Sequence, residues 1–177
     1  MAVAPIMQQY ATRESMIELV ANTYGFDQEA AESYLADYTD EELRLLLQKP
    51  NIRKCNFAEY RNWVIINLLL NNGCRAATIR SILIRDLDLD NRVIYLRHTK
   101  NKRAQVIPLC DALCAVLREY LRIRGGEGDD FLFPNESGAQ LTENGLRCSI
   151  ANYNNKRGIQ KTSIHLFRHT FARKYLV

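Results

Sequence analysis

No stretch of this chain is apolar for long enough to cross a bilayer. The longest run, Trp63 to Leu70, is broken by Asn67 and falls far short of the ~20 residues that a crossing takes. A secretory leader is also missing, because MAVAPIMQQY has neither a basic n-region nor a continuous apolar h-region. A cytoplasmic chain with no membrane partner is the expectation. Cysteine supplies no framework either: Cys55, Cys74, Cys110, Cys114 and Cys148 are odd in number and form no CxxC pair. That fits reduced thiols, most of them acting as small core hydrophobes. Cys110 and Cys114 lie four apart, but a metal needs two further ligands, so neither metal nor cofactor is expected.

What the sequence does hold is enough apolar material for one core, with 47% hydrophobic residues in 177. Its charge is unevenly spread. Met1 to Lys49 carries three basic residues against nine acidic ones, whereas Pro50 to Val177 carries 21 against 11, a balance of +10 within a net charge of +4. A positive field confined to the larger part suits a binder of phosphate backbones, although a solvated basic face has the same composition.

Helical spacing predicts short helices over residues 14–24 and 28–36 around a break at Gly25. Thr39 with Glu42 forms a capping-box signature for a helix over 40–48. From Phe57 to Asn71 the chain becomes apolar on every side after Trp63, the pattern of a helix buried through a domain, and Gly73 suits its C-terminal cap. A short helix near 76–84 follows. VIYLR (93–97) and QVIPL (105–109) alternate as strands of a hairpin whose turn, HTKNKRA, is basic, and Pro108 places the second strand at an edge. Asp111 opens an amphipathic helix to Arg124. FLFPNESGAQLT reads as a short strand and turn before a helix over 143–156 that Gly158 ends, and a last helix begins near His165 and runs on to Val177.

Three features stand in order along this scaffold: an arginine just after the buried helix (NNGCR), a lysine in the basic turn (HTKNKR), and HxxR at a helix start (HLFRH). Singly, each is commonplace. Together, and with YTDEEL, DLDLDNRVIYLRHTKNKRAQVIPL, FLFPNESG, LT and HLFRHTFA around them, they resemble the catalytic domain of the tyrosine recombinase (phage integrase) family over roughly residues 39–177.

The resemblance implies an α+β fold, mainly helical, with a small antiparallel β-sheet at one side. Residues 1–38 are then a short helical segment of no assigned role, and 39–177 a catalytic domain incomplete at its C-terminus. It implies Arg75, Lys100, His165 and Arg168 as catalytic residues and Lys102, Arg103 and Arg173 as DNA-backbone contacts. The chemistry suits those residue types. A phosphodiester under attack spreads negative charge over its equatorial oxygens, which two guanidinium groups can clamp with fixed, bidentate donors. His165 would bond the same phosphate and assist proton transfer. Lys100 would protonate the departing 5′ oxygen.

The family's nucleophile is a tyrosine well beyond HxxR, preceded by an LGH-type motif, and neither is expected in this chain. Tyr175 stands seven positions past Arg168, ~10 Å along a helix, where the family has an ordinary core position. Thr78 occupies a place where many relatives carry an acidic residue that supports the first arginine. His169 reads as packed or bonded to neighbouring backbone, and His98 carries no assigned role. Residues 1–38 are too few and too acidic for the family's core-binding domain. The implied partner is double-stranded DNA, on which the family works as a tetramer, with this chain expected to be monomeric alone. Two readings follow: the catalytic domain of a DNA strand-transferase that works through a 3′-phosphotyrosyl link, here lacking its nucleophile, or a non-catalytic DNA-binding fragment or accessory protein.

Overall fold

In a computed structural model the described residues are 37–96 and 105–175, with Glu18, Asn22, Gly25 and Gln28 ahead of them. The chain divides into two units, Met1–Asp37 and Tyr38–Val177. In the first, Glu18, Asn22 and Gln28 are helical and Gly25 turns with a φ of 68°. The remainder of the helices expected over 14–24 and 28–36 lies outside the described residues.

The second unit is built around one helix. Helix α1 (Asp40–Leu47) starts from Thr39, whose hydroxyl accepts from Glu42 N–H while Glu42 accepts from Thr39 N–H, the reciprocal box its sequence predicts. Helix α2 (Phe57–Asn72) is capped by the Asn56 side chain at one end and by Gly73 at the other. Every residue from Tyr60 to Leu70 except Asn67 is buried, so α2 has no solvent face over that length. Helices α1, α4 (Asp111–Arg124), α5 (Glu143–Asn155) and α6 (Ile164–Tyr175) all pack on it.

Helix α3 (Ala76–Ser81) is shorter than the expected 76–84: the chain turns extended at Ile82 and makes a 3-10 turn over Ile84–Asp86. It leaves the helix because its backbone pairs elsewhere. Leu132 N–H donates to Ile82 O at 2.8 Å and Ile84 N–H to Asp130 O at 2.9 Å. The FLFPN segment therefore forms bridges, Leu83 with Phe131 and Pro134 with Gln140, rather than a strand of its own.

Strands β1 (Leu87–Asp88), β2 (Val93–Leu96) and β3 (Gln105–Pro108) form an antiparallel sheet in that order, with Ile94 opposite both Leu87 and Ile107. Along β2 burial alternates, Ile94 and Leu96 inward and Tyr95 outward, and Pro108 sits on an edge strand as its missing N–H requires. The architecture is thus mainly helical with a small antiparallel sheet, as the sequence implied.

Three local readings change. Cys110, rather than Asp111, occupies the N-cap of α4, and Asp111 stands in its first turn, 3.1 Å from Arg92. Helix α5 ends at Asn155, three residues before Gly158. Of the cysteines only Cys74 and Cys114 are buried, whereas Cys110 and Cys148 are exposed. Among the described residues no helix is long and apolar enough to cross a membrane.

Candidate phosphate-binding site

The site is assembled where the C-terminus of α2 meets α6. Gly73 ends α2 in the left-handed region (φ 58°, ψ 29°) and donates its N–H to Leu69 O at 2.9 Å. A side chain there would be strained by the backbone and also by its neighbour, because a Cβ on Gly73 would collide with Cδ1 of Phe171 on α6. The missing side chain lets α6 come this close.

That approach brings the HxxR arginine onto the turn. Arg168 Nη1 donates to Gly73 O at 2.9 Å. Two residues later Arg75 leaves the turn in extended conformation (φ −76°, ψ 150°) as the N-cap of α3. Arg75 is exposed, and among the described residues its guanidinium makes no hydrogen bond or ion pair. The fold therefore brings Arg168 to the backbone that presents Arg75.

His165 lies one turn ahead of Arg168 on α6, the spacing that puts two side chains on one face. Both are exposed, as is His169, while Leu166, Phe167 and Thr170 are buried on the opposite side. His169 is thus a surface residue, which departs from the first of the two places expected for it, packed or bonded to neighbouring backbone. Arg173 is exposed in the last turn of α6. Thr78 is half-buried in α3 and its carbonyl accepts from the Ser81 hydroxyl. Lys100, Lys102, Arg103 and His98 fall between Leu96 and Gln105, the paired ends of β2 and β3, and lie outside the described residues.

Two neighbouring groups bear on nucleophilic chemistry. Burial pushes the Cys74 thiol up to about 11, against a smaller opposing pull from Arg168; it is a neutral core filler between Gly73 and Arg75. Tyr38, Tyr60, Tyr120 and Tyr153 are buried in the core, and burial raises the pKa of each hydroxyl. Tyr175 ends α6; its side chain lies outside the described ones. Among the described residues no three His, Cys, Asp or Glu side chains are grouped to hold a metal ion.

Sequence reading missed two buried polar clusters. Arg61 is 4% exposed and, with no ion pair among the described residues, donates to Pro134 O and, at 3.0 Å, to the Ser149 hydroxyl. Tyr38 and Asn154 bond one another beneath α6. Both arise between residues 73 to 132 positions apart, so no local pattern announces them.

A sequence model of the phage integrase family matches residues 37–176. The tyrosine recombinase XerA of Saccharolobus solfataricus is 36% identical over 109 residues, covering 62% of this chain and 34% of that protein. Among solved structures, a crystal structure of XerA recombinase matches with a TM-score of 0.67 at 23% identity, covering 80% of this chain and 49% of the other. A crystal structure of XerH site-specific recombinase bound to difH substrate, in a pre-cleavage complex, matches with a TM-score of 0.62 at 24% identity, over 80% and 44%. The chain thus spans about a third of that sequence relative and under half to about half of these structures.

Proposed function

The chain belongs to the phage integrase family, and we propose that its second unit grips a DNA phosphate between Arg75 and Arg168 as the phosphate-binding part of a site-specific recombinase. The observation that carries this reading is the bond from Arg168 to Gly73 O. It holds one guanidinium against the turn that carries the other residue, and two delocalised cations with up to five donors each suit a single anion.

In the complete recombinase a tyrosine hydroxyl attacks the phosphorus, a 3′-phosphotyrosyl ester forms, and the 5′ oxygen leaves with a proton. Arg75 and Arg168 neutralise the charge that builds on the equatorial oxygens. His165, one turn from Arg168, bonds the same phosphate and assists proton transfer. Lys100 supplies the proton to the leaving oxygen. Lys102, Arg103 and Arg173 hold neighbouring phosphates, and the DNA is double-stranded. The partner's backbone charge matches the +10 balance of residues 50–177.

A second reading is DNA binding without strand transfer. It is favoured by Tyr38, Tyr60, Tyr120 and Tyr153, whose buried hydroxyls cannot reach a phosphate. One pair of measurements tests both. Binding to short duplex DNA is expected to weaken about tenfold or more in Arg75→Ala and Arg168→Ala, on the scale of a lost charged hydrogen bond, and to be unchanged in Arg44→Ala on the acidic helix α1. Equal behaviour of the three variants would sink the phosphate grip. Incubation with nicked duplex followed by denaturation then separates the readings: a surviving protein–DNA adduct establishes strand transfer by this chain, and binding without adduct establishes the second.

A further inference from the structure

His165 and Arg168 do not determine their own direction. It is determined by the rotation of α6 about its axis, where one residue of slippage is ~100°, and by the path of the loop over residues 156–163 that delivers its first turn. Both are held by one buried cluster.

Asn154, in the last turn of α5, is 0% exposed. Its Nδ2 donates to Tyr38 Oη at 2.9 Å and to Lys161 O at 2.7 Å. Tyr38 Oη in turn donates to Lys161 O at 3.2 Å. The carbonyl four residues ahead of His165 is thereby pinned by two donors. Tyr38 also holds the helix itself. Its ring lies 4.6 Å from that of Phe167, and its N–H donates to the Thr170 hydroxyl at 3.3 Å, which passes a bond on to Leu166 O. Tyr38 therefore touches the loop before α6 and, on the buried side of α6, Phe167 and Thr170, which flank Arg168.

We infer that Tyr38 and Asn154 are positioning residues for His165 and Arg168, acting by clamping Lys161 O and the buried face of α6. This rests on the phosphate-grip reading for its functional consequence, and not for the placement itself. Neither residue touches the phosphate. Their effect is on how often the two side chains point where a phosphate needs them, and the lost binding is that of a site populated only part of the time.

The test uses Tyr38→Phe, which keeps the ring on Phe167 and removes the hydroxyl, with Asn154→Ala as the more severe change. Tyr120→Phe is the matched control, because it too deletes a buried hydroxyl, one that donates to Leu132 O at 3.0 Å. Without DNA, the His165 imidazole resonances are expected to move in Tyr38→Phe and to stay in Tyr120→Phe. With duplex DNA, Tyr38→Phe is expected to weaken binding about 3- to 10-fold, the scale of one net hydrogen bond, and to weaken it by clearly less in an Arg168→Ala background, where only His165 is left to misplace. Unmoved His165 resonances in Tyr38→Phe, equal movement in Tyr120→Phe, or full additivity with Arg168→Ala overturns the inference. If Arg168→Ala itself leaves binding untouched, the phosphate reading fails, and the resonances measured without DNA still decide the positioning role.

Discussion

Arg168 donates to the carbonyl of Gly73 at 2.9 Å, so the helix that carries HxxR and the turn that carries Arg75 are one mechanical unit. A lysine in place of Arg168 keeps the charge but has a single nitrogen, which cannot bond the carbonyl and clamp an anion with the geometry of a fork. Arg168→Lys is expected to lose about 0.5–1.5 kcal/mol of stability in urea unfolding and to bind DNA several-fold more weakly, with little change in salt dependence. Arg168→Ala is expected to lower the slope of log K against log salt by about 1. Identical slopes for the two variants would show that Arg168 makes no phosphate contact.

Gly73 is required twice, by its positive φ and by Phe171. Gly73→Ala is expected to cost more than the ~1 kcal/mol of a left-handed alanine alone, because the Phe171 ring has to move out of the way of the new methyl. Urea unfolding of Gly73→Ala, Phe171→Ala and the double variant checks this. The two changes should be strongly non-additive, the smaller side chain relieving part of the alanine's cost. Simple additivity would mean that the close approach is unimportant.

Glu42 ties α1 to the same loop that Tyr38 and Asn154 hold, through a 2.8 Å ion pair with Lys161. Burial pushes its pKa up, but the bonds from Lys161 and Thr39 outweigh that and leave it below the ordinary value of 4.5. Folded, the carboxyl binds fewer protons than unfolded in the window between the two values, so acid favours the unfolded chain there. The stabilisation is whole above pH 4.5 and is lost as pH falls through the lowered value. Glu42→Gln is therefore expected to be less stable than the parent at neutral pH and to approach it in acid. Parallel stability curves across that window would show that the Glu42 carboxylate does not stabilise the fold.

Arg61 is the buried cation that the sequence did not disclose. Burial lowers its pKa, and its bonds go to Pro134 O, Asn62 and Ser149 rather than to a carboxylate. Arg61→Ala is expected to destabilise by about 3 kcal/mol or more, from lost packing and unpaired acceptors. Arg61→Met, which restores much of the volume, should recover part of that. Equal unfolding midpoints for Arg61→Ala and the parent would show that the FLFPN turn does not depend on it.

How much of this was legible follows from the range of the forces involved. The capping box at Thr39, the all-round burial of α2 and the αL cap at Gly73 are local or periodic, and each was readable from a few adjacent residues. The HxxR spacing likewise put His165 and Arg168 on one helical face. What escaped depends on partners far away in sequence. Helix α3 stops early because Ile82 and Ile84 are claimed by Leu132 and Asp130. The Tyr38–Asn154 bond spans 116 positions. Cys110 and Cys148 look as apolar as Cys74 in the sequence, and only packing separates them.

That separation gives a chemical readout of the site's integrity. Cys110 and Cys148 are exposed, whereas Cys74 is buried between Gly73 and Arg75 with its thiol held up to about 11. Since the thiolate is the reactive form, a buried, high-pKa thiol reacts only when the structure opens. A thiol reagent at neutral pH is expected to modify Cys110 and Cys148 first, and Cys74 and Cys114 only on unfolding. In Gly73→Ala, where α6 is pushed from the turn, Cys74 should become reactive well before Cys114, because the displaced helix carries Arg168, which bonds the turn next to Cys74 and acts on its thiol. Mass spectrometry of timed aliquots reads the order directly. Simultaneous labelling of Cys74 and Cys114 in Gly73→Ala would mean that the whole core loosens, and that α6 does not move separately from it.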